Sequence, residues 1–261
     1  MPELPELTVF ADNLSKAVVG KEIVKVDYRG KKSVKVPTEE LTRSMVAARI
    51  DKVQRVGKQL LVRLSNDATL FIHLMLKGGF VLTKTEELQQ LDAVILAVSF
   101  ADGSALALTD PRGMATVALN PKRGEQPRDG LKVTADYLQA ACQRQPNKMI
   151  KALLVDQEVI GGIGNAYSDE ILWRARISPK SLAGKLPPEA IDALVEAIPA
   201  VLNEAVEEIR RRRPDAVSGE VRDFLKVHGP DLKSSPNGAR IIKEQIQSKV
   251  TYYTEEQKLY R

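Results

Sequence analysis

Apolar residues change period twice along this chain, and that limits the folds open to it. Between residues 22 and 120 they fall in short runs: IVKVDYRG, SVKVP, LLVRLS, TLFIHLML, GGFVLT, AVILAVSF and ALALTD. The runs are rich in Val, Ile and Leu, alternate in part, and are separated by turn residues such as SND at 65–67 and DG at 102–103. Strands at this spacing predict an antiparallel sandwich or barrel. From 131 to 213 strong helix formers take over, as in ADYLQAACQRQ and PPEAIDALVEAIPAVLNEAVEEIRRRR. The tail, 218 to 261, returns to short β-like pieces, with SSPNG turning into ARIIKEQIQ and then KVTYYTEEQ. NPKRGEQPRDG at 120–130 has the makeup of a linker. The expected division is a β-rich domain over 1–125, a helical domain over 131–217 and a small β appendage over 218–261.

A helix precedes the β block. Leu4, Leu7, Ala11, Leu14 and Val18 recur with the period of one buried face. Its start, MPELPELTVF, brackets Glu3 and Glu6 with Pro2 and Pro5. Proline is tolerated in a first turn and acids there complement the helix dipole, which explains the pattern by local chemistry alone.

Bulk properties exclude several classes. A hydrophobic content of 43% and a charged content of 28% are those of a folded chain, and no apolar run reaches membrane-spanning length. The acidic, amphipathic start is unlike a signal or transit peptide. A single cysteine, Cys142, permits no internal disulfide and no cysteine-based zinc site; with only His73 and His228 besides, no metal is expected. A reducing, cytoplasmic setting follows, nucleoid-associated in a bacterium. The net charge of +5 permits a nucleic-acid partner without demanding one. Arg210 to Arg213 form an unbroken run, and Lys122, Arg123 and Arg128 cluster in the linker, although a charge run is usually a solvated face.

The segment IKALLVDQEVIGGIGNAYSDEILWRARISP, 150 to 179, is the most informative. Ile150 to Val155 predicts a turn or two of helix, GGIGN a glycine-rich break, and Ala166 to Ile177 a second helix halted by the proline at 179. A glycine turn leading into a helix exposes backbone N–H groups, Gly164 among them, and makes a ready phosphate site. Asn165 can either cap that helix or give its side-chain amide to a phosphate. The turn alone also fits a plain helical hairpin.

The whole string closely resembles the helix–two-turn–helix of the formamidopyrimidine-DNA glycosylase and endonuclease VIII family, whose members begin Pro-Glu-Leu-Pro-Glu or a close variant. Lys58 in RVGKQLLVRL and the DPR at 110–112 match further family positions. The resemblance covers nearly the whole chain. It implies an α+β multidomain protein: a β-sandwich with an N-terminal helix, a helix–two-turn–helix domain and a C-terminal hairpin finger. It implies a monomeric base-excision-repair enzyme acting on damaged double-stranded DNA, a DNA glycosylase with abasic-site lyase activity.

The resemblance also gives the opening residues roles. Removal of Met1 leaves Pro2 as a secondary amine, whose α-amino pKa of roughly 8 is low beside that of lysine. The positive end of a helix disfavours its ammonium form further, so it becomes a competent nucleophile toward a sugar C1′ and forms a Schiff base. Glu3 is the general acid on the deoxyribose ring oxygen and the proton shuttle of β-elimination. Glu6 is a second acid in the pocket. Lys58 reaches the phosphate beside the lesion, and Asn165 is a phosphate ligand. Arg112 enters the duplex to face the orphaned base, where side chains must fill the hole left by a flipped nucleotide.

Departures from the family pattern bear on this reading. The zinc finger's cysteines are missing, with Thr254 and Gln257 in their places, so a zincless β-hairpin is expected, held by packing of Ile241, Ile246, Tyr252 and Tyr253. The family's arginine–any–threonine appears as Lys249-Val250-Thr251, keeping a charge for phosphate but losing the planar fork. The void-filling residues become Leu76, in His73-Leu74-Met75-Leu76-Lys77-Gly78, and Met114, in Asp110-Pro111-Arg112-Gly113-Met114-Ala115. SGEVRDFLKVHG passes almost directly from Arg-Asp-Phe to Val-His-Gly, where members specialised for 8-oxoguanine have a longer loop over the flipped purine. Thr8 and Glu158 also differ from the usual residues. Two other functions compete with the leading one: a lyase with little base excision, and a non-catalytic binder of damaged DNA.

Overall fold

The computed structural model describes residues 1–29, 37–122, 124 and 126–261. They form two compact units. One comprises Met1–Pro2, Glu6–Gly124 and Ile209–Glu220; the other comprises Glu3–Pro5, Glu125–Glu208 and Val221–Arg261. The packing thus groups the C-terminal hairpin with the helical lobe, and residues 209–220 with the β-rich one. No described helix is long and apolar enough to cross a membrane.

The β-rich unit is entered through α1 (Leu4–Val18), which buries Leu7, Phe10, Leu14 and Val18 on one face. There follow β1 (Ile23–Tyr28), α2 (Thr38–Met45), β2 (Ile50–Val56), β3 (Gln59–Leu64), β4 (Thr69–His73), β5 (Gly79–Lys84), β6 (Val94–Phe100), β7 (Ser104–Thr109) and β8 (Thr116–Leu119). Among the described residues the strands make two antiparallel four-stranded sheets, ordered β1–β6–β7–β5 and β2–β3–β4–β8. Leu14 from α1, Leu60 and Ile72 from one sheet, and Phe80 and Leu96 from the other line one apolar interior. That shared core is what makes two half-apolar sheets stable. β6, VILAVSF, is buried at every position and so shows no alternation.

The β reading of 22–120 needs one correction. Residues 38–45, TEELTRSM, form a helix, because Glu39 and Glu40 suit a first turn and Leu41 and Met45 bury at i and i+4. The strand expected at SVKVP falls largely on residues outside the described ones.

Strand register sets the loops. β4 ends with His73 opposite Thr116, and β5 begins with Gly79 opposite Thr109. Segments 74–78 and 110–115 therefore leave the two sheets side by side.

The helical unit holds a short parallel pair, β9 (Arg128–Asp129) with β10 (Ile160–Gly161). Its helices are α3 (Ala135–Arg144), α4 (Ile150–Leu154), α5 (Asn165–Arg174) and α6 (Pro188–Arg212), the last continuing beyond this unit. Leu138, Leu153, Tyr167, Ile171, Leu194 and Leu202 lie in its core. α5 ends sooner than the expected Ile177. Arg176 takes φ +59, and Ile177 N–H reaches Leu172 O at 3.0 Å while Arg176 N–H reaches Trp173 O at 3.1 Å. This is a left-handed helix stop, with arginine where glycine is usual, and it acts before the proline does.

The hairpin pairs β11 (Ile241–Ile246) with β12 (Lys249–Thr254) through a two-residue turn, Gln247-Ser248, both at positive φ. Ile241, Ile246 and Tyr252 are buried, and Val227 and Trp173 join Ile241 and Tyr252 in one cluster. Tyr253 contributes a polar contact instead, its hydroxyl donating to Glu244 at 2.6 Å.

Candidate active site

In the helical unit, the glycine turn is shaped around the residues that open the chain. Gly162 has φ +102, and a Cβ there would lie 2.7 Å from Leu4 Cδ1. Leu4 N–H donates to Gly162 O at 3.0 Å. At Gly164 a Cβ would lie 2.4 Å from the Glu3 carboxyl carbon. Glycine is needed there because Glu3 occupies the space of a side chain. The Glu3 carboxylate accepts from the backbone N–H of Gly164 at 2.7 Å, Ala166 at 3.0 Å and Tyr167 at 3.4 Å. It thereby satisfies the otherwise open N–H groups at the start of α5.

That arrangement corrects the capping alternative for Asn165. Gly164 is the residue before the helix and Asn165 its first residue, so the cap comes from Glu3. Asn165 Nδ2 donates to Val250 O at 2.8 Å, which ties α5 to the hairpin. Its Oδ1 is buried and, among the described residues, has no hydrogen-bond partner. Lys249, one residue before Val250, is exposed at the start of β12. Arg222 places its guanidinium 3.5 Å from Glu3 Oε1 and 5.9 Å from the centre of the Tyr167 ring.

Sequence reasoning overlooks Arg222 and three buried charged residues of this unit. Lys151 and Asp169 pair at 2.6 Å, with side chains 3% and 0% exposed. Burial pushes the Lys151 ammonium below the usual lysine range, against the pull of Asp169. Glu170 accepts from the backbone N–H of Lys226, Val227 and His228 at 2.8–3.1 Å, and burial raises its carboxyl nonetheless. Asp169-Glu170 in mid-helix is the one local signal, since acids there are ordinarily solvated.

In the β-rich unit, Pro2 is buried, and the Met1 amine pairs with Glu220. Glu6 is fully buried in the first turn of α1. Thr8 Oγ1 receives Arg55 Nε at 3.0 Å, and Arg55 also donates to Gly57 O at 3.3 Å. That bond steadies the tight β2–β3 turn, where Gly57 has φ +56 and Lys58 is 9% exposed. His73 lies within electrostatic reach of Lys58; burial, then that ammonium, hold the imidazole below its ordinary 6.5.

The paired loops carry the residues assigned to the vacated stack. Met75, at φ 52, donates its N–H to His73 Nδ1 at 3.0 Å, and the chain then presents Leu76 41% exposed. On the neighbouring loop buried Asp110 accepts from the backbone N–H of Arg112 at 2.9 Å, Met114 at 2.7 Å and Ala115 at 2.7 Å. Gly113 at φ +61 completes the turn, and Arg112 and Met114 stand exposed. Large apolar side chains held out on pinned loops suit insertion between bases.

The positions of the missing cysteines do not fit zinc. Gln257 Oε1 accepts from Thr254 N–H at 2.8 Å, and its Nε2 donates to Ile177 O at 2.8 Å, so an amide closes the hairpin's end. Neither side chain supplies a thiolate, and among the described residues no group of three His, Cys, Asp or Glu is placed to hold a metal.

Comparison with known proteins agrees with this layout. Residues 1–117 match the formamidopyrimidine-DNA glycosylase N-terminal domain, and residues 124–213 match the formamidopyrimidine-DNA glycosylase H2TH domain. A formamidopyrimidine-DNA glycosylase of Pelotomaculum thermopropionicum is 31% identical, covering 97% of each chain. That of Enterococcus faecalis is 33% identical, covering 97% of this chain and 95% of its own. A Lactococcus lactis Fpg, solved in complex with DNA containing an abasic site, superposes with a TM-score of 0.87 at 24% identity, covering 97% of both chains. By its sequence domains and these relatives, the chain belongs to the formamidopyrimidine-DNA glycosylase family, the DNA glycosylases of base excision repair.

Proposed function

We propose that this chain removes damaged bases from double-stranded DNA and cuts the resulting abasic site, through a Schiff base on Pro2. Once Met1 is removed, the Pro2 amine attacks C1′. Its lone pair forms the C–N bond as the N-glycosidic bond breaks and the base departs with a proton. Ring opening then gives the iminium, loss of a C2′ proton expels the 3′ phosphate, and water releases the enzyme. Glu3 carries protons to and from the sugar through these steps. Glu6 acts as the second acid of the pocket. Lys58, Asn165 and Lys249 hold phosphates, while Leu76, Arg112 and Met114 fill the vacated stack.

The observation that carries this reading is the seat of Glu3. A residue directly beside the proposed nucleophile is fixed by three backbone N–H groups at the start of α5; Gly164 N–H, expected to face phosphate, is thereby taken by Glu3, and the turn's phosphate contact falls to the Asn165 side chain.

Borohydride reduction in the presence of abasic duplex tests it. A covalent adduct, mapped to Pro2 in protein whose intact mass shows Met1 absent, is the expected result. Replacing Pro2 with glycine keeps an amine but weakens cleavage sharply. Tight binding without any adduct would refute the lyase.

A further inference from the structure

One turn beyond Asn165, α5 carries a carboxylate that the proposed chemistry leaves unused. Asp169 is buried, and the partners of its side chain lie outside its own helix. Oδ1 accepts from Lys151 Nζ at 2.6 Å; Oδ2 accepts from Tyr252 N–H at 3.0 Å and sits 2.7 Å from His228 Nδ1. Lys151 also donates to Thr251 Oγ1 at 2.7 Å. The His228 ring packs edge-on against Tyr252 at 5.0 Å. One side chain thus grips residues 251 and 252 of β12, directly and through Lys151. On the same strand, Val250 O takes the amide of Asn165, and Lys249 begins the strand.

Stability alone gives a weak reason for this arrangement. Removing a lysine and an aspartate from water is costly, and apolar residues of similar volume often serve as well or better. Direction is what the pair adds, because a carboxylate accepting from three sides fixes the position of each donor. A strand slip of one residue would exchange the faces of β12 and turn Thr251 away from Lys151.

We infer that Asp169 is a positioning residue, which locks β12 against α5 so that Lys249 and Asn165 form one rigid grip on DNA phosphate. The locking stands on the contacts above; the grip rests on the phosphate roles proposed for those two residues.

Hydrogen exchange on the full chain without DNA reads the lock itself. In Asp169→Asn the amides of 250–254 should exchange about tenfold faster or more, as for loss of a charge-assisted bond, with α3 and α6 protected as before. Salt dependence of binding to a duplex with a stable abasic-site analogue reads the consequence. The slope of log affinity against log salt should become shallower by about one, the signature of the lost Lys249 phosphate contact. Unchanged exchange at 250–254, or faster exchange spread evenly over the chain with an unchanged slope, would overturn the inference. If Asp169→Asn does not fold, Thr251→Val removes only the hydroxyl that Lys151 reaches; faster exchange of the same amides supports the lock and no change refutes it. Lys249→Ala separates the two claims. If its slope equals that of the parent while Asp169→Asn still loosens β12, the phosphate role fails and the lock stands.

Discussion

Glu3 engages both carboxylate oxygens with backbone N–H groups of the glycine turn, and Gly164 leaves the room for it. The glycine and the acid therefore form one functional pair, which yields a prediction neither residue suggests alone. In Gly164→Ala the new methyl would lie 2.4 Å from the Glu3 carboxyl carbon, so the carboxylate must leave its seat. Single-turnover base excision should fall at least about 100-fold, the low end of what general acid–base catalysis supplies, with α5 still formed by circular dichroism. Glu3→Gln should match that loss, since an amide cannot shuttle the proton and turns one NH2 toward N–H donors. Binding of a stable abasic-site analogue should survive both. Full excision by Gly164→Ala would show that the seat of Glu3 does not matter to the chemistry.

At the scale of elements, segment 74–78 is held by a bond that requires a neutral histidine, because His73 Nδ1 must accept from Met75 N–H. Burial and the Lys58 ammonium lower the pKa of His73 in the folded chain, so below 6.5 the unfolded chain takes up its proton first. Stability from this site is therefore complete above about 6.5 and declines as pH falls below it, levelling off under the folded value. Urea unfolding between pH 5 and 8 should show that slope reduced in His73→Gln, and reduced also in Lys58→Met, where the repulsion is gone. Equal slopes in parent and both variants would exclude His73 as its source. How far such elements can be read from sequence depends on where their determinants lie. β3 to β7 are legible because turn residues punctuate short apolar runs. α2 is hidden by having only Leu41 and Met45 as its buried stripe, and the end of α5 by an arginine in a glycine's place. Local chemistry offers Asn165 as a cap, whereas Glu3 fills that role from the far end of the sequence. For Asp169 the sequence offers only an acid in mid-helix, since its partners at 151, 228 and 252 meet it only through folding.

Two expectations concern the molecule as a whole. The hairpin is closed by Gln257 and locked by Asp169, with no thiolate at the family's ligand positions, so prolonged chelation should leave melting temperature and DNA binding unchanged; zinc at one per chain, with activity lost on its removal, would contradict this. The second concerns the choice of lesion. Ahead of the hairpin, residues 222–228 are pinned: Leu225 N–H turns back onto Arg222 O at 3.1 Å, Arg222 sits at Glu3, and Glu170 takes the N–H groups of 226–228. Backbone donors committed in this way cannot also read the edge of a flipped purine, as the longer loop of 8-oxoguanine-specialised relatives is placed to do. Discrimination then falls to how easily a nucleotide leaves the stack. Abasic sites have no base to unstack, and ring-saturated or ring-opened bases stack poorly. The backbone and void-filling residues add affinity without selecting a base. Cleavage should be fastest at abasic sites, intermediate for oxidised pyrimidines and formamidopyrimidines, and slowest for 8-oxoguanine opposite cytosine, in single-turnover rates on matched duplexes. Release of 8-oxoguanine as fast as abasic cleavage would mean that the pinned segment does read the base, and that the committed donors are not a barrier to it.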